Sequence, residues 1–135
     1  MPKNEEVSLA SLGIQMPYSM QAEQSVLGAA LVDETVLNRL ITDMEPEMFY
    51  SDQNRAIYET MRSLYTESEA VDIVTLVNAL ASNKTFASAD DAKVYPARIA
   101  ETLPSVSNVD SYFKIVKEKY QGRRLIDAAR SILNE

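Results

Sequence analysis

PYSMQAEQSVLGAAL at Pro17–Leu31 and PEMFYSDQNRAIYETM at Pro46–Met61 are the two stretches that decide the fold. In the first, Pro17 stops any preceding helix and Ser19 is a good N-cap. The spacing predicts a helix from about Met20 to Leu31. Met20, Val26, Leu27, Ala30 and Leu31 are its apolar residues, with Glu23, Gln24 and Ser25 on other sides. Gly28 sits inside it at a cost of about 1 kcal/mol relative to alanine. It reads either as a tolerated imperfection or as the close approach of a neighbouring helix or aromatic ring. In the second stretch Pro46 forces a break, and Met48, Phe49 and Tyr50 form a short apolar plug. Ser51 then caps a helix to about Tyr65, with Ile57, Tyr58, Met61, Leu64 and Tyr65 facing inward.

The remaining segments follow the same rules. Asp33 caps a helix to about Met44 whose Val36, Leu37, Leu40, Ile41 and Met44 form one stripe. Asp72 caps a helix carrying Ile73, Leu76, Val77 and Leu80. The β-branched run VDIVTLV has a period nearer 3.6 than 2, so it is not taken as a strand. Ser88 with Asp91 caps a fifth helix holding Tyr95, Ile99 and Leu103. Proline is tolerated in a first turn, which places this helix start near Ala92, ahead of Pro96. Pro104 ends it, and Asn108 caps a long sixth helix with Gly122 partway along. The fold class is therefore all-α, a compact bundle of about six helices. Its expected core includes Leu27, Leu40, Phe49, Ile57, Met61, Leu76, Leu80, Ile99 and Phe113.

Composition narrows the chemistry. A chain of 135 residues that is 46% hydrophobic can bury a real core. It has no cysteine and no histidine, so it lacks disulfides, thiolate metal sites and the usual general base near neutral pH. Its three glycines, Gly13, Gly28 and Gly122, cannot build a phosphate-cradling loop. No catalytic residue, metal ligand or cofactor site is expected. No apolar run is long enough to span a membrane, and the start MPKNEEVSLASLG is not a secretory signal. A cytoplasmic protein is the expectation. The net charge is −7, split as −9 over residues 1–108 and +2 over residues 109–135. An acidic body repels DNA phosphates, so direct DNA binding should be weak or absent.

The sixth helix carries two stripes. Val109, Tyr112, Phe113, Val116 and Tyr120 form one. Ile115, Ile126, Ala129, Ile132 and Leu133 form a second, rotated stripe. The first can pack on the other helices. The far part of the second needs another partner, which makes Ile126, Ala129, Ile132 and Leu133 candidates for self-association. The ending at Leu133-Asn134-Glu135 has the look of a cut within an element. Arg123-Arg124 reads as a solvated face paired with Asp127 rather than as a phosphate site. Asp90 and Asp91 point about 100° apart on a helix and read as helix-N-terminal charge, not as a metal pair.

Five ordered motifs carry a family resemblance. They are AEQSVLG (22–28), PEMFY (46–50), VDIVTLVNAL (71–80), LPSVSN (103–108) and YFKIVKEKYQGRRLI (112–126). Together they resemble the amino-terminal domain of DnaB-type replicative DNA helicases. The sequence departs from that pattern at Asp90-Asp91-Ala92, where a Gly-Gly pair is common, at Pro96 and at Gln21.

Residues 1–16 lack helical periodicity and read as a flexible tail. The resemblance implies a globular collar domain over 17–108. It makes 109–135 the first helix of a helical hairpin. It implies a non-catalytic module that is part of a hexamer in a parent helicase; for the chain alone, the uncovered stripe predicts a two-fold dimer. The parent's ATP and Mg²⁺ would be held by a separate motor domain. It implies docking of the primase C-terminal domain, with Gln21, Tyr95, Ile126 and Ile132 at the contact positions, and leaves room for a helicase loader. A tyrosine at helical spacing is more often a core residue with its hydroxyl at the surface, and Tyr95 reads more readily so than as a direct contact. A stand-alone helical adaptor or weak DNA-binding module is the alternative reading.

Overall fold

The computed structural model describes residues 13–101 and 108–135. The described residues form α1 (Met20–Val32), α2 (Glu34–Asp43), a 3-10 turn (Pro46–Met48), α3 (Asp52–Thr66), α4 (Ile73–Leu80), α5 (Ala89–Glu101) and α6 (Val109–Leu133), with no strand among them. Capping follows the sequence at most starts. The Ser19 hydroxyl accepts from the Ala22 N–H, Asp33 from Thr35 and Val36, and Ser51 from Asn54. Asp72 and Thr75 form a reciprocal capping box. Asn108 precedes α6 but its side chain makes no capping hydrogen bond.

Helix α1 is the centre of the molecule. It packs against α2, α3, α5 and α6, and nine of its thirteen residues are buried. Glu23 and Ser25, which the sequence set on sides other than the apolar one, are among them, so burial is not confined to the apolar stripe. A helix surrounded by four others has no outer side for most of its length. Its small residues Ala22, Gly28, Ala29 and Ala30 let the neighbours come close. At Gly28 the closeness is decisive, because an added Cβ would lie 2.8 Å from the Ile99 carbonyl oxygen of α5. Gly28→Ala is therefore expected to cost about 1–3 kcal/mol through overpacking. This outweighs the gain of about 1 kcal/mol in helix propensity. Thermal unfolding checks it: an equal or higher midpoint would mean that α5 shifts freely.

Leu27, Leu40, Phe49, Ile57, Met61, Leu76, Leu80, Ile99 and Phe113 are all buried in one cluster. The Phe49 ring lies 5.2 Å from that of Tyr58, and the Tyr58 hydroxyl donates to the Met44 carbonyl at the end of α2. Burial pushes the Tyr58 phenol above its ordinary pKa. Tyr65 was expected on the inner face of α3 but is exposed, its hydroxyl donating to Asn38. It lies in the last turn of α3 and reaches α2 only through that hydroxyl.

Helix α5 begins at Ala89, earlier than the sequence reading placed it. The Ser88 hydroxyl accepts the Asp91 N–H at 3.1 Å, which nucleates the helix directly after Ser88. Pro96 consequently lies in the helix interior and is buried there. The expected end of this helix at Leu103–Pro104 and the LPSV part of the next turn lie outside the described residues. Helix α6 packs on α1 and on the 3-10 turn. Arg39 of α2 ties it further, pairing with Asp110 and stacking 4.3 Å from the Phe113 ring centroid.

Candidate interaction surface

The arrangement rests on a buried polar network between α1, α3 and α5. The Glu23 carboxylate accepts the Tyr50 N–H at 2.9 Å, the Ser51 N–H at 3.3 Å and the Asn54 amide at 3.0 Å. It thus places negative charge at the N-terminus of α3, where the helix dipole favours it. Asn54 is fully buried, and its Oδ1 accepts from the Tyr95 hydroxyl at 2.6 Å. Gln24 donates to the same hydroxyl at 3.1 Å. Burial pushes the Tyr95 phenol up in pKa, with the Gln24 hydrogen bond opposing. The hydroxyl is therefore committed inside the protein, not at the surface as the sequence reading had it. The exposed edge of Tyr95 remains available beside the first turn of α1.

Arg123 corrects a second expectation. It is not on a solvated face with Asp127 but is buried, 7% exposed. Its two terminal nitrogens donate to the Pro17 and Met48 carbonyls, each at 3.0 Å. Its guanidinium lies 5.3 Å from the Tyr50 ring and 5.7 Å from the Tyr120 ring. Tyr50 in turn stacks on Tyr18 at 4.5 Å. No spacing rule could have found this, because the acceptors are main-chain carbonyls that any residue carries. Arg124 remains exposed.

Of the candidate docking residues, Gln21 is exposed in the first turn of α1, between Met20 and Gln24, and both of these approach the Tyr95 hydroxyl. Gln21 and Tyr95 thus belong to one end of the body. Ile126 and Ile132 lie on α6 beyond Arg123, its last buried residue. Ile126 is half-buried, whereas Ile132 is 68% and Leu133 56% exposed. Ile115 packs against the core and does not belong to the free stripe. Leu125, which the sequence reading passed over, is 72% exposed. The free stripe therefore runs through Leu125, Ala128, Ala129, Ile132 and Leu133, at the i, i+3, i+4, i+7 and i+8 spacing of one helix face.

Among the described residues no cluster of acidic side chains is placed to hold a metal, and no helix is long and apolar enough to cross a membrane. A surface cleft of about 450 Å³ beside the end of α1 is lined by Asp33, Glu34, Tyr65 and Glu69 among others.

A helical body with a central buried helix and a long projecting one is a known architecture. The profile of the DnaB-like helicase N-terminal domain matches residues 15–118, and the chain belongs to that family. The N-terminal domain of DnaB helicase from Mycobacterium tuberculosis has a crystal structure that superposes with a TM-score of 0.78 at 30% identity. The match covers 87% of this chain and 84% of that one. The replicative DNA helicase DnaB of Geobacillus stearothermophilus is 34% identical over 119 residues, 88% of this chain. The replicative DNA helicase DnaC of Bacillus subtilis matches equally well, at 34% over 119 residues. The chain spans about a quarter, 26%, of the length of each of these two relatives.

Proposed function

We propose that this chain is the non-catalytic collar and docking domain of a hexameric replicative DNA helicase. The observation that carries the reading is the free apolar face of α6 from Leu125 to Leu133, which the body leaves uncovered. Such a face is most simply satisfied by a copy of itself. In the parent, ATP and Mg²⁺ belong to a motor domain, and the protein works in the cytoplasm. The chain itself is expected to show no ATP hydrolysis or unwinding, since it has neither histidine nor a phosphate loop. The primase C-terminal domain is the docking partner, meeting Gln21 and the edge of Tyr95 at one end of the body and Ile126 and Ile132 on α6. A loader protein is a further partner of the parent.

Titration of the chain with an isolated primase C-terminal domain tests the docking, with single-stranded DNA as the control. The primase domain should bind and the DNA should not, because residues 1–108 carry a net charge of −9. Ile126→Ala with Ile132→Ala should weaken primase binding about tenfold or more. Tyr95→Phe leaves the ring in place and should change it little. Equal primase affinity in the double variant would remove α6 from the docking site. DNA binding tighter than primase binding would favour the alternative of a DNA-binding module.

A further inference from the structure

We propose that the Tyr18–Tyr50 pair is a prebuilt platform on which the docking partner lays an arginine, its guanidinium stacked on the open face of Tyr18. The two rings are parallel within 8°, with centroids 4.5 Å apart. Both are nonetheless surface residues, Tyr18 48% and Tyr50 41% exposed. Stacking covers one face of Tyr18. Among the described residues that ring has no other aromatic neighbour, no cation and no hydrogen-bond partner for its hydroxyl.

The pair is fixed before any partner arrives. Pro17, ahead of Tyr18, has a set φ and gives its carbonyl to Arg123 at 3.0 Å. It also packs on α6, where a Cβ on Gly122 would lie 3.1 Å from its ring. Ser19, after Tyr18, is the N-cap of α1, its hydroxyl accepting the Ala22 N–H at 3.1 Å. Tyr50 is anchored by the Glu23 carboxylate, which accepts its N–H at 2.9 Å. Exposed rings ordered in this way lose little freedom on binding, which is what makes tyrosines effective anchors.

The chemistry of the pair selects what it takes. Aromatic faces are negative and attract cations. The chain already uses this contact internally, with Arg39 4.3 Å over Phe113, Arg123 5.3 Å over Tyr50 and Arg124 5.9 Å over Tyr120. The inner ring of the pair thus has its guanidinium, and the outer ring has none. Arg123 is buried and spent on two carbonyls, so it does not offer itself to an anion. Residues 1–108 carry a net charge of −9, which draws a cationic partner in and repels the phosphates that accompany a nucleobase. A planar guanidinium lies flat on a ring, whereas an ammonium meets it as a point charge. The platform adjoins the docking end of the body. Only Ser19 and Met20 separate Tyr18 from Gln21, and the Glu23 that holds Tyr50 also holds Asn54, the partner of the Tyr95 hydroxyl. Which molecule brings the arginine therefore rests on the docking reading above, whereas the platform does not.

Nuclear magnetic resonance of the full chain titrated with a tetra-arginine peptide reads the contact, with tetra-lysine of equal charge as the control. Tetra-arginine should shift the Tyr18 ring signals saturably and bind about threefold or more tighter than tetra-lysine. Tyr18→Phe should keep that preference, because the ring face remains, and Tyr18→Leu should lose it. Equal binding of the two peptides by the unsubstituted chain overturns the platform, and this comparison needs no variant to fold. A preference that survives in Tyr18→Leu overturns it as well. So does a thymidine oligonucleotide that moves the Tyr18 signals at lower concentration than tetra-arginine, which would mean base stacking. Tyr18 signals that move with chain concentration alone would give the face to a second copy and overturn the proposal. The primase C-terminal domain is then titrated against the same variants. Tyr18→Leu should weaken its binding about tenfold and Tyr18→Phe little. Primase binding that ignores Tyr18→Leu overturns the assignment of the arginine to that partner. No primase binding at all counts against the docking reading, and the peptide comparison still decides the platform.

Discussion

Phe49→Ala is expected to destabilise the domain by about 3–5 kcal/mol, the range for deleting a fully buried aromatic ring. Phe49 is 0% exposed and sits where the 3-10 turn hands the chain to α3. Its ring meets Tyr58, whose hydroxyl holds the end of α2. The cavity would therefore open between three elements that are fixed by different contacts, and they cannot close over it together. A fall in melting temperature of about 10 °C or more should follow for a domain of this size. Phe49→Leu should recover much of the loss. An unchanged midpoint for the alanine variant would show that the ring does not bear on stability.

Glu23→Ala is the second large effect. It removes the acceptor of two backbone N–H groups and of the Asn54 amide, all at the start of α3. Each buried donor left without a partner costs about 1–3 kcal/mol. With three donors stranded together, the loss should total about 3–5 kcal/mol. Glu23→Gln keeps the shape but turns an amide N–H₂ toward donors, so it should recover only part of this. Chemical denaturation with linear extrapolation measures both variants. A Glu23→Ala loss below about 1 kcal/mol would show that water replaces the carboxylate and that the network is not structural.

These two residues mark what could and could not be read from the chain. Phe49 was legible because a proline before it and a serine cap after it isolate a short apolar plug. Helix starts at Ser19, Asp33, Ser51 and Asp72 were legible for the same local reason. Glu23 was not, since a glutamate between apolar positions looks like a solvent-facing residue until four helices are known to surround it. Pro96 misled for a related reason. The rule that keeps proline to a first turn is a local one, and here the Ser88 cap starts the helix earlier regardless. At the site, the apolar character of α6 was visible, but its phase was off by one position, because Ile126 turns partly inward and Leu125 outward. The Arg123 clasp left no trace in the sequence beyond a basic pair. Its acceptors are carbonyls at positions 17 and 48, which only the fold brings to it.

Sedimentation equilibrium over a wide range of chain concentration tests the central claim most directly, that the free face of α6 joins copies of this domain. The face is apolar, so the mass should rise toward that of a dimer with concentration and depend little on salt. Leu125→Asp with Ile132→Asp puts charge on two positions that are 72% and 68% exposed, so folding should be unaffected. The double variant should remain monomeric with unchanged helix content. An unsubstituted chain that stays monomeric at the highest concentration, or a double variant that associates equally well, would contradict the claim.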